Sequence, residues 1–131
     1  MEFFTPEEAK KYHLKTLADL LNKDFVKHHN ESRFLKFVAA KLGFTEADLK
    51  EIVEDPNLEA VVPQDEQARM TFFYHLLFMM KIDGSIAQAE RDLVRELGFQ
   101  LGFNPLMVDE MVELVAQYLG QPVPEQALLD I

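Results

Sequence analysis

The sequence predicts an all-α fold, a compact single-domain helical bundle of about six to seven helices over residues 1–131, and three observations carry that prediction. Apolar residues recur at three- and four-residue spacing through most of the chain, the period of a helix rather than of a strand. Cap-type residues precede these stretches and glycine follows three of them, at Gly43, Gly102 and Gly120. Hydrophobic content of 48% with 27% charged residues suffices for a core and argues against disorder.

The first helix opens at Thr5-Pro6-Glu7-Glu8. Threonine can cap, proline sits where its missing amide is harmless, and Glu8 completes a capping box. Tyr12, Leu14, Leu17, Ala18 and Leu21 then share a face, and the helix is expected to reach Leu21 or Lys23. A second helix is expected after His28-His29, with Asn30 or Ser32 as its cap, Phe34, Leu35, Val38, Ala39 and Leu42 inside, and Gly43 at its end. Neighbouring histidines do not share a helix face, so His28 and His29 read as a polar turn rather than as metal ligands.

Thr45 starts a short third helix that stops before Pro56, and Leu58, Val61 and Val62 are expected to pin the connector that follows. Residues 65–82 form the most apolar helix, buried on several sides by its content of Phe, Leu and Met. His75 on that helix has no serine, cysteine or second histidine at a useful spacing and reads as a core or rim residue. After the Asp83-Gly84 turn a fifth helix buries Leu93, Val94, Leu97 and Leu101, with Gly98 permitting a close crossing. Asn104-Pro105 opens a sixth running to Gly120, and a short seventh is expected from Pro124.

A shift of 59 residues lays one half of the chain on the other. Asp24 falls on Asp83, Glu31 on Glu90, and Leu42-Gly43-Phe44 on Leu101-Gly102-Phe103. Amphipathic helices generate coincident leucines easily but a Leu-Gly-Phe triplet at the same offset less easily, so the pattern reads as a pseudo-duplication with halves 6–55 and 65–120. The halves differ at their first turn, where Phe25 stands for Gly84.

With 13 basic and 23 acidic residues the net charge is -10, which repels phosphate backbones, so no nucleic-acid partner is expected. The absence of cysteine removes disulfides, thiolate metal sites and cysteine nucleophiles, and fits a cytoplasmic location. The longest apolar run, Phe72 to Met80, is far short of a membrane span of about 20 residues, although peripheral membrane association stays open.

The chemistry-bearing stretch is the acidic turn from Asp83 to Glu90. Its pattern resembles the second half of a calcium loop, but Met79 and Lys81 stand where oxygen donors would be needed, which argues against an EF-hand. Asp83 and Glu90 near Asp109, Glu110 or Glu113 could still hold a hard divalent cation, Ca, Mg or Mn. The plain alternative is an ordinary Asp-Gly turn followed by a glutamate that favours the helix start.

Met80-Lys81-Ile82-Asp83-Gly84-Ser85-Ile86, followed by Glu90 and completed by Leu101-Gly102-Phe103, resembles the motif of the tellurite-resistance TerB-like family, and the likeness runs from Tyr12 through Val115. The resemblance implies a compact, non-catalytic helical module linked to metal or membrane-stress responses, with a divalent cation held by acidic residues. Carried onto this chain, those are Asp83 and Glu90, with Asp24 and Glu31 as the corresponding residues of the first half. The chain is therefore expected to be a protein-interaction or stress-response module. Its alternatives are a metal-dependent enzyme built on clustered carboxylates and a purely structural homo-oligomer, with an apolar patch at Phe3-Phe4, Phe25 or the C-terminal tail.

Overall fold

A computed structural model describes residues 6–24, 29–82 and 86–118, with side chains placed for 7–21, 33–82 and 86–118. The fold class is the one the sequence predicts: all-α, with six helices and no strand among the described residues. They are α1 Pro6–Asp24, α2 His29–Lys41, α3 Glu46–Glu54, α4 Glu66–Met79, α5 Gln88–Gln100 and α6 Pro105–Gln117. The predicted seventh helix, the Thr5 cap, Phe3-Phe4, Phe25 and Gly120 lie outside the described residues. The chain divides into two compact units, Met1–Val62 and Pro63–Ile131, and the described residues of each form three helices.

In the first unit α1, α2 and α3 pack on one another. Leu14, Leu17, Ala18 and Leu21 from α1 meet a core completed by Phe34, Val38, Ala39, Leu42 and Ile52. The apolar pattern did not mark His13 and Thr16, which are also buried. Each satisfies its polar atom within the helix. His13 Nδ1 lies 2.7 Å from the Ala9 carbonyl, and the Thr16 hydroxyl donates to the Tyr12 carbonyl at 2.8 Å, so neither leaves an unpaired group inside.

In the second unit α4 and α5 both pack with α6 or its neighbours around Phe73, Leu76, Leu77, Val94, Leu97, Phe103, Val108, Met111 and Val115. Phe73 and Phe103 stack with ring centroids 5.8 Å apart. Gly98 makes the α5–α6 approach: a Cβ there would lie 2.3 Å from Val108 Cγ2 and 3.3 Å from Phe73 Cε2. The close crossing expected of Gly98 is present.

Three expectations are corrected. α2 starts at His29, so Asn30 and Ser32 lie inside the helix rather than capping it. The α4 helix ends at Met79 instead of residue 82, because the chain turns through a left-handed Lys81 with φ 56. Ile82 N–H then reaches back to the Leu77 carbonyl at 3.1 Å and Lys81 N–H to Phe78 at 3.0 Å, a Schellman closure with lysine in the usual glycine place. Val61 does not pin the connector by its side chain, which is 64% exposed; its backbone N–H donates to the Tyr12 hydroxyl instead.

The two units repeat each other in local detail at the 59-residue shift. Residues 29–41 of α2 fall on 88–100 of α5, and α3 and α6 start at equivalent positions. Gly43 with φ 91 falls on Gly102 with φ 101. Phe44 N–H bonds to the Ala39 carbonyl at 2.8 Å, and its equivalent Phe103 N–H bonds to Gly98 at 2.9 Å. Thr45 accepts from the Asp48 amide and Asn104 from the Met107 amide, again equivalent pairs.

Candidate functional site

Two features of the surface are built well enough to carry chemistry, one in each unit. In the first unit a cleft of about 370 Å³ opens over Leu42, Phe44, Ile52 and Leu58, rimmed by Glu7, Lys10, Lys11, Asp48, Glu51 and Asp55. Asp48 is committed to the start of α3. The Thr45 amide, its hydroxyl and the nearby Lys11 hold its carboxyl below the ordinary range. The last turn of α3 carries no basic residue of its own, and Lys15 reaches over from α1 to donate to the Val53 carbonyl. At the shifted position in the second unit, Arg69 stands for Lys10 and caps the Leu101 carbonyl at 3.2 Å, while Met107 and Leu114 stand for Asp48 and Asp55. The cleft thus occupies ground where its counterpart carries longer or more apolar side chains.

In the second unit the feature is the corner between α5 and α6. Arg95 on α5 grips Asp109 on α6 with two hydrogen bonds of 2.8 Å. Arg91 approaches the same carboxylate at 4.0 Å. The bidentate bond to Asp109 raises the guanidinium above its ordinary value. Gly98 opposite Val108 and Arg95 opposite Asp109 show that the two helices run in opposite senses away from their short connection. Phe99 lies four residues beyond Arg95 and Leu106 three before Asp109, so both stand on the face of that ion pair, one turn nearer the corner. They are 65% and 69% exposed.

The chain matches no family model, no curated protein and no solved structure.

Of the acidic residues singled out in the sequence, Asp83 lies outside the described residues, as do the side chains of Asp24 and Glu31. Glu90 sits half-buried in the first turn of α5, and Glu110 and Glu113 are exposed on α6. Asp109, a candidate neighbour for them, is taken up by Arg95. Among the described residues no three Asp, Glu or His side chains converge on a point, so the donors in view do not compose a cation site.

His75 lies exposed on α4 beside Tyr74, with ring centroids 5.4 Å apart. Partial desolvation lowers the imidazole below its ordinary value. Among the described residues no helix is long and apolar enough to cross a membrane.

Phe99 and Leu106 escaped the sequence reading because an apolar residue on an amphipathic helix looks like core. The signal that marks them is the repeat itself. Their equivalents in the first unit are Ala40 and Ala47, both exposed, so the fold of this corner requires no large side chain at either place.

Proposed function

We propose that this chain is a non-catalytic helical interaction module, built from two copies of a three-helix unit, whose second copy presents the recognition surface. The observation that carries the reading is the contrast at equivalent positions. Phe99 and Leu106 are held about two-thirds exposed, where the matching corner of the first unit has the alanines that solvent exposure favours. Single exposed apolar residues are common, but two on one face beside a neutralised ion pair make a surface suited to a protein partner. The TerB-like motif from Met80 to Glu90, with Leu101-Gly102-Phe103, supports the same reading from the sequence and extends it to a stress-response role. The matching helix bounds and caps of the two units support descent from one duplicated unit.

Site-specific photo-cross-linking in the native cell tests the reading. A cross-linking residue at position 99 is expected to trap a protein partner, and the same residue at position 40, its equivalent, is expected to trap none. Equal yields from the two positions would refute it.

A further inference from the structure

Beyond the α5–α6 corner, we infer that the cleft of the first unit is a receptor for an arginine side chain presented by a partner protein. The aliphatic stem lies over the Leu42-Gly43-Phe44 turn, the guanidinium donates to the Leu42 carbonyl, and the carboxylates of Glu51 and Asp55 balance its charge.

The second unit shows what this ground accepts. There Arg69, in the first turns of α4, folds across the matching Leu101-Gly102-Phe103 turn. Its Nε donates to the Leu101 carbonyl at 3.2 Å, and its Nη2 lies 4.0 Å from where a Cβ on Gly102 would stand. In the first unit the same position holds Lys10, which makes no hydrogen bond or ion pair among the described residues, and no donor reaches the Leu42 carbonyl. Over Gly43 nothing lies within 4 Å of the Cβ position. The two turns are otherwise alike, with φ 91 and 101 at their glycines and the same amide closure, Phe44 onto Ala39 and Phe103 onto Gly98. The first unit thus keeps the receptor and lacks the side chain that fills it.

The cleft differs from its counterpart in the direction a cation requires. Asp48 and Asp55 line it where the second unit carries Met107 and Leu114, and Glu51 stands with them on one face of α3. Four acidic and two basic side chains rim the opening. Lys11 is offset by Asp48, whose carboxyl it helps to hold down, and Lys10 has Glu7 one turn before it. Glu51 and Asp55 remain; Asp55 accepts the Asn57 amide at 2.8 Å, a contact that fixes the carboxylate without cancelling its charge. The floor is apolar, with Leu42 and Ile52 buried and Phe44 partly exposed where its equivalent Phe103 is fully buried. An alkyl stem ending in a planar cation matches both surfaces, and a guanidinium can serve a carbonyl and a carboxylate at once. At about 370 Å³ the cleft has room for one long side chain rather than for a helix.

The test uses the full chain and three capped tripeptides, acetyl-Gly-Arg-Gly-amide and its lysine and glutamate counterparts, with binding followed by backbone amide shifts in NMR. The arginine peptide is expected to bind saturably and to move the amides of Gly43 and Phe44. The lysine peptide is expected to bind about fivefold more weakly, and the glutamate peptide not to bind. Lys10→Arg, which gives the first unit the residue the second already carries, is expected to close onto the Leu42 carbonyl and abolish binding, with a melting temperature at or above that of the parent. This variant keeps the charge, so simple attraction to a chain of net charge -10 would be unaffected by it. E51Q/D55N is expected to weaken binding about fivefold.

Unchanged binding in Lys10→Arg would overturn the assignment, as would full affinity in E51Q/D55N. So would equal binding of the arginine and lysine peptides, or shifts spread over the acidic surface without saturation. Butylguanidinium binding where the tripeptide does not would make a small guanidine the occupant and equally overturn it. Position 99 belongs to the other unit, so a failure here leaves the cross-linking result, and the interaction-module reading with it, standing.

Discussion

Gly98→Ala tests the close approach of α5 and α6. A methyl group in mid-helix ordinarily favours the helix by about 1 kcal/mol over glycine. Here the added Cβ would lie 2.3 Å from Val108 Cγ2, well inside contact distance, and 3.3 Å from Phe73 Cε2. Both neighbours are fully buried, so neither can swing into solvent, and overpacking of this kind costs roughly 1–3 kcal/mol. The overlap outweighs the propensity, and Gly98→Ala is expected to destabilise the chain by about 1 kcal/mol, or about 4 °C in melting temperature. Val108→Ala, which removes the obstructing methyl, costs about 2 kcal/mol alone through the cavity it leaves. Together the two should cost less than their sum by about 1 kcal/mol, since the new methyl then fills part of that space. Urea unfolding of the parent, both single variants and the double variant measures all three quantities. A Gly98→Ala protein more stable than its parent, or a strictly additive double variant, would refute the reasoning.

Other local features give equally direct expectations. Lys81→Gly should stabilise the chain by about 0.5–1 kcal/mol in the same assay, because the left-handed conformation costs a side-chain-bearing residue more than glycine loses in unfolded-state entropy. Ala87 caps α5 without a side-chain hydrogen bond, and Glu90 stands three residues on, so Ala87→Ser should complete a capping box and raise stability by about 0.5–1 kcal/mol. His75 is lowered from 6.5 in the folded chain. Above that value both states are neutral and the group is silent; as pH falls below it the unfolded chain takes up the proton first, and stability declines. Melting temperature across pH 7 to 5 should therefore fall less steeply in His75→Gln than in the parent, and parallel curves would dismiss the effect.

How much was legible in the sequence depended on whether a signal was local. Helix starts at Thr45 and Asn104 and helix ends at Gly43 and Gly102 were readable, because a cap is a matter of a few adjacent residues. The end of α4 was not, since Lys81 adopts the cap conformation without the glycine that advertises it. Burial of His13 and Thr16 was hidden for a different reason: their polar atoms are satisfied one turn back, which residue type alone does not reveal. The Arg95–Asp109 pair lay hidden too, as fourteen residues and a corner separate its partners. Phe99 and Leu106 needed both levels, the three-dimensional corner to place them on one face and the repeat to show that alanine would have served.

The Schellman closures of α2, α4 and α5 bear on how these helices open. Phe44, Ile82 and Phe103 each donate an amide to a carbonyl five residues earlier, and Ile82 and Phe103 carry fully buried side chains just past their helix ends. A helix terminus normally unwinds one residue at a time, each step releasing a single exposed hydrogen bond. At α4 and α5 the final turn cannot loosen without drawing an isoleucine or a phenylalanine out of the core. Those ends are therefore coupled to the interior and open as blocks, with exchange protection extending past the last helical residue.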